Sequence, residues 1–275
     1  MPVNSLGINH SAIPANLRGG LRAHAARLVN TVVPNSVRLA VQAPPEETLG
    51  ALSRISVGSA GIILQALPDT YLSKLFSLDY IWPADQAAHA LKQNFTSDRV
   101  AGILSVNGMQ PDRRAGLIKL LAPADQFNVV FNMLPYAAAS ALSSDVLTPD
   151  EVLLMYSSNL RQLGRVFPKI VTAKATGILE AMSNTELKDF ICADLVRPGL
   201  VADILTRRQP GELWVSILDG MPDSSVSKVL DDDKFPIHLA AVYAKQKLVS
   251  RTAAFSSIDP PRLLKIFEVM DKLPE

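Results

Sequence analysis

The chain has 275 residues, 27 Lys+Arg against 26 Asp+Glu, 48% hydrophobic residues and a single cysteine. These values describe a globular chain of one or two domains and exclude a disulfide scaffold or a wholly disordered polymer. A net charge near zero leaves no global electrostatic footprint for nucleic acid or an anionic surface, and the apolar stretches 58–67 and 129–142 are too short, or too broken by Asn132 and Pro135, to be an integral membrane segment.

Residues 1–45 contain no Asp or Glu and carry +4 from Arg18, Arg22, Arg27 and Arg38, whereas the remainder carries −3. The asymmetry sets 1–44 apart as a basic, partly flexible N-terminal region. Residues 1–15, rich in Asn, Ser, Gly and Pro, predict a flexible arm. Leu17, Leu21, Leu28 and Val32 fall at helical spacing and predict a helix over 15–33. Arg18, Arg22 and Arg27 lie off that stripe and are the candidates for contact with a protein partner. The region lacks the apolar core of a Sec-type signal peptide. Its composition fits a docking arm, an organelle transit peptide or an export address, since Met1-Pro2-Val3-Asn4-Ser5 resembles the uncharged, Ser/Asn-rich starts of type III effectors.

From residue 45 onward, proline stands at the beginnings of apolar segments: Pro45, Pro68, Pro83, Pro111, Pro123, Pro135, Pro149, Pro198, Pro210, Pro222, Pro236 and Pro261, several followed by Asp or Glu. Proline costs nothing where a helix has no bonded N–H, and an acid in the first turn complements the helix dipole, so these are predicted helix starts. Thr148-Pro149-Asp150-Glu151 and Ser183-Asn184-Thr185-Glu186 add capping signatures. The starts recur every 12–15 residues, and two such units make a helical hairpin of about 24–28 residues, a spacing typical of solenoids. No alternating strand pattern competes with it. The fold class expected is all-α, a right-handed superhelix (solenoid) of short helical hairpins over 45–275.

Within the helices a small-Gly-aliphatic-aliphatic core recurs at Gly61, Gly102, Gly116 and Gly177. Glycine inside a helix costs about 1 kcal/mol relative to alanine, so its reuse predicts close approach of a neighbouring helix at each site. The segments Ala60–Pro68 (AGIILQALP), Ala115–Pro123 (AGLIKLLAP) and Phe127–Pro135 (FNVVFNMLP) resemble the repeated pattern of the cytosolic N-terminal domain of MgtE-type magnesium transporters, related to the armadillo-like repeats of the flagellar motor switch protein FliG. The resemblance covers roughly 45–232 and implies a helical superhelix; in the transporters that domain senses magnesium.

The period breaks near 165–183, a point where two sub-arrays could join. Cys192 stands in an apolar helix with no neighbouring histidine, which predicts a buried structural thiol. Asp219, Asp223, Asp231, Asp232 and Asp233 form the densest acidic stretch; a cation site competes there with a solvated, helix-capping loop. His10, His24, His89 and His238 are scattered and are expected at the surface or half-buried. Trp82 and Trp214 flank helix starts and are expected in the core. Arg113-Arg114 and Arg207-Arg208 lack aromatic interleaving, which speaks against nucleic acid. Beyond residue 236, a longer basic helix and a final helix with Leu263, Leu264, Phe267 and Met270 as its apolar stripe have the character of a solenoid cap.

No nucleophile, acid–base pair, phosphate loop, cofactor motif or metal-ligand spacing appears in the sequence. The reading that follows is a non-enzymatic scaffold or adaptor binding another protein, with bacterial secretion or motility as its setting. A magnesium-responsive regulatory domain and an enzyme assembled from distant repeats are the alternatives.

Overall fold

A computed structural model describes residues 6–9, 12–18, 20–30, 33–208 and 213–274, excluding the side chain of Arg18. The described residues are all-α, with no strand among them. They fall into two compact units, 1–148 and 149–275.

In the first unit the helices are α1 (Ala15–Arg18), α2 (Leu21–Asn30), α3 (Val33–Gln42), α4 (Pro45–Leu52), α5 (Val57–Ala66), α6 (Asp69–Phe76), α7 (Ala84–Asn94), α8 (Ser97–Ser105), α9 (Pro111–Lys119), α10 (Pro123–Asn132) and α11 (Pro135–Leu142). The second unit has α12 (Pro149–Met155), 3-10 turns at Leu160–Arg165 and Phe167–Lys169, then α13 (Thr172–Ala181), α14 (Asn184–Cys192), α15 (Pro198–Arg208), α16 (Leu213–Gly220), α17 (Asp223–Asp231), α18 (Ile237–Lys247), α19 (Thr252–Ser256) and α20 (Pro260–Met270). Proline occupies the first helical positions of α4, α9, α10 and α11, and is the N-cap of α6, α7, α17 and α18. Both places require φ near −60°, the value its ring imposes, and neither needs its missing N–H. Pro210 lies outside the described residues. Ser183 closes the predicted capping box on α14: its Oγ accepts from Glu186 N at 3.3 Å, and Glu186 Oε2 accepts from Ser183 N at 2.9 Å.

Within each unit most helices pack on the one two places along. In the first unit α2, α4, α6, α8 and α10 form one row, and α3, α5, α7, α9 and α11 another. In the second unit α13, α15, α17 and α19 stack in one row, while α14 packs on α16 and α18 on α20. Alternating short helices leave both rows with an apolar side to bury, and the largest enclosed side chains are Trp82, Tyr156, Tyr243, Phe76, Phe167, Phe190, Phe235 and Phe255.

Arginines fasten these rows at the helix ends. The last carbonyls of a helix have no partner within it, and a guanidinium offers five donors in a fixed fork. Arg99 on α8 reaches the carbonyls of Gln65 and Leu67 at the end of α5 and Asp69 Oδ1 at the start of α6. Arg113 donates to Phe76 O (2.8 Å) and Trp82 O (2.7 Å), and Arg114 to Leu104 O (2.6 Å) and Val106 O (3.3 Å). In the second unit Arg208 closes the end of α13, Arg251 that of α16 and Arg262 that of α17. Side-chain links between successive hairpins include Arg99 to Asp69, 30 residues apart, Ser144 to Asp112, 32, Ser225 to Asp194, 31, and Arg262 to Asp232, 30, while Arg208 to Met182 spans 26 and Arg113 to Phe76 37.

Several expectations need correction. The described part of the N-terminal arm is packed rather than loose: Leu6, Ile8 and Ile13 are buried, Trp82 Nε1 donates to Leu6 O at 2.8 Å, and Asn9 N to Ile81 O at 2.7 Å. Burial of three aliphatic side chains outweighs a turn-rich composition. The helix expected over 15–33 is two pieces, α1 and α2, with Gly20 between them, and Val32 lies outside the described residues. Helix α3, within the segment set apart by its charge, packs on α5. Of the repeated glycines, Gly116 faces open space, so close helix approach does not explain it. On α20, Ile266 is buried and Leu264 is exposed, which rotates the expected stripe by part of a turn.

Candidate interaction groove

An open groove of about 890 Å³ lies in the second unit, lined by Lys188 of α14, Trp214, Val215, Ser216, Asp219 and Gly220 of α16, and Leu239, Val242 and Gln246 of α18. It lies where α16 and α18 pack less closely than their row neighbours, α14 with α16 and α18 with α20, and meet through the side chains of Trp214, Asp219, Tyr243 and Lys247. Leu239, Val242 and Gln246 occupy i, i+3 and i+7 of α18, one side of that helix over two turns.

Aromatic rings support the groove from beneath. Trp214, buried, lies 6.3 Å from Phe235 and 6.2 Å from Tyr243, centroid to centroid, and Tyr243 lies 6.1 Å from Phe255. Tyr243 is enclosed, and its Oη donates to Asp219 Oδ1 at 3.1 Å. Burial pushes the Tyr243 phenol well above its ordinary range despite the opposing field of Arg251, so it acts as a donor at any physiological pH. Lys247 Nζ holds the other oxygen of Asp219 at 2.7 Å. Asp219 therefore ties α16 to α18 at one end of the groove, its charge balanced and its two oxygens engaged. On the opposite side Lys188 Nζ donates to Ser216 Oγ at 2.5 Å, a neutral partner.

Behind this wall, Cys192 Sγ points at Ile217 O across 3.6 Å, and the thiol is half-buried. Burial raises its pKa, against the lowering field of Lys188. The thiol is thus held protonated beside a helix carbonyl, the opposite of nucleophile activation.

The remaining sequence candidates are dispersed. Arg22 and Arg27 are exposed on α2, flanking its solvent side roughly 140° apart at 100° per residue, so they do not form one cluster. Arg18 ends α1, and its side chain lies outside the described part, as do the Met1–Ser5 address and His10. His89 and His238 are exposed, but His24 is buried in α2, contrary to expectation. Most of the acidic stretch is occupied by structure: Asp223 pairs with Arg251 at 2.6 Å, Asp231 Oδ1 accepts from Asp259 N at 3.1 Å, and Asp232 Oδ1 from Lys234 N at 2.9 Å. Among the described residues no three His, Cys, Asp or Glu side chains converge on a metal-sized site. No helix among them is long and apolar enough to cross a membrane.

Sequence reasoning placed Trp214 in the core and named Asp219 only within the acidic stretch, and it missed Lys188, Ser216 and Gln246 as groove residues. The spacing of Leu239, Val242 and Gln246 was the one local signal, and it says nothing of what lies opposite. No protein-family model, curated protein or solved structure matches the chain.

Proposed function

We propose that the chain is a helical-repeat interaction scaffold, each unit a stretch of right-handed superhelix built from short hairpins, and that it engages another protein through the groove between α14, α16 and α18. Support for the repeat comes from the packing of helices two places along within each unit and from side-chain links between successive hairpins. The observation that carries the function is the groove itself: half-buried Val215, Leu239 and Val242 beside Lys188, Ser216 and Gln246, an apolar strip edged by polar groups. Partly exposed apolar surface with a polar edge is the composition of a recognition surface. The acidic groups near it are committed to ion pairs and helix caps, which favours binding over acid–base chemistry.

The test is affinity capture from the native cell with the wild-type chain and with Val242→Arg, which places a charge in the strip. A stoichiometric partner retained by the first and lost by the second supports the reading. Equal retention by both moves the contact elsewhere.

A further inference from the structure

We propose that the groove receives an extended, internal segment of a partner protein carrying a side-chain carboxylate for Lys188 and, nearby on the same side of the strand, an aliphatic or aromatic residue for the strip formed by Val215, Leu239 and Val242. This inference rests on the interaction reading above and names its ligand chemistry.

Charge on the two sides of the groove is unequal. Asp219 is neutralised by Lys247 at 2.7 Å and held by Tyr243 at 3.1 Å. Lys188 is half-buried, its hydrogen-bond partner is the neutral hydroxyl of Ser216, and among the described residues it has no ion pair. An ammonium held by one neutral hydroxyl keeps two of its three N–H donors for an incoming anion, and its position is already set by that hydrogen bond. The groove thus offers one uncompensated positive charge to a carboxylate.

Shape selects a chain segment over a compact molecule. The lining runs along two turns of α18, from Leu239 to Gln246, or about 10 Å at 1.5 Å per residue. An extended peptide rises about 3.3 Å per residue, so roughly three residues span it, with alternate side chains directed to the same side. One such side chain can face Lys188 while a neighbour on that side meets the apolar strip. Gln246, exposed at the rim, carries both a donor and an acceptor suited to a passing backbone amide. Apolar pockets for side chains combined with hydrogen bonds to the main chain are the means by which extended peptides are recognised.

The experiment selects a random peptide library, displayed between flanking linkers so that no library terminus is free, against the wild-type chain. Selected sequences are then synthesised with both ends blocked and titrated by fluorescence anisotropy. Expected are peptides with Asp or Glu close to Leu, Ile, Phe or Trp, weakened roughly tenfold or more by Lys188→Glu and lost with Val242→Arg. Replacing the peptide acid by Lys should restore binding to the Lys188→Glu chain. Lys188→Met, which keeps the apolar stem, should weaken binding in the same direction if the reversal disturbs folding. Selected peptides that bind wild type and both Lys188 variants equally, yet fail with Val242→Arg, overturn the carboxylate assignment and leave the scaffold reading intact. Peptides indifferent to Val242→Arg, or no selected peptide at all, overturn the groove and with it both readings.

Discussion

The Cβ that Gly220 lacks would stand 2.3 Å from the Sγ of Cys192, so the end of α16 and the end of α14 meet at a distance that only a hydrogen in place of a side chain permits. The contact fixes the wall behind the groove, and it gives the only cysteine of the chain a packing role.

Gly220→Ala should therefore destabilise the second unit by about 1–3 kcal/mol from overpacking, partly offset by the roughly 1 kcal/mol that alanine gains over glycine in a helix. Adding Cys192→Ala empties the contested space, so the double variant should be more stable than Gly220→Ala alone. Urea midpoints of the four proteins give the coupling; additive effects would contradict the contact.

Arg113 is a buried cation whose fork serves the carbonyls of Phe76 and Trp82, with the rings of those two residues stacked 4.7 Å apart. Burial lowers its pKa and Asp79 opposes that, while the guanidinium remains charged at any accessible pH. Arg113→Ala leaves two buried carbonyls unpaired and should cost about 2–5 kcal/mol. Arg113→Lys should lie between, since one ammonium on a different stem does not reproduce the planar fork. Denaturant unfolding with tryptophan fluorescence ranks the three, and equal stability of all three would refute the clamp.

His24 is buried in α2 against α4, and its Nε2 has no hydrogen-bond partner. Burial lowers its pKa below 6.5, Glu47 of α4 pulls it upward, and Arg27 of α2 adds to the lowering. The unfolded chain then binds more protons at this site than the folded one, so stability rises with pH across the interval between the lowered value and 6.5. Acidification through that interval should loosen the first unit, and the loss should level off below the folded-state value. Thermal midpoints at mildly acidic and slightly alkaline pH should separate for wild type and converge for His24→Leu. An unchanged pH slope in His24→Leu would assign the dependence to other groups.

Helix starts were legible because their physics is local. Proline at Pro45, Pro111, Pro123 and Pro135 fits the unbonded first turn whatever surrounds it, and the Ser183–Glu186 capping box closes over three residues. From these the all-α class follows. The burial of Leu6, Ile8 and Ile13 was not legible, because composition reports the intrinsic freedom of a segment and says nothing of the surface that covers it.

Everything that makes a site was decided across helices. Lys188 and Ser216 are 28 residues apart and Asp219 and Tyr243 24, so each pair meets only once the hairpins have stacked. Glycine shows the same division. Four repeated positions looked alike in sequence, yet Gly116 faces open space, while Gly220, outside that pattern, is the one pressed against Cys192. Capping, dipole and helical period act within a turn or two and belong to the sequence by itself. Which faces are covered, which carbonyls an arginine reaches and which lysine is left without a counter-charge depend on the distance between helices, and that the tertiary structure alone decided.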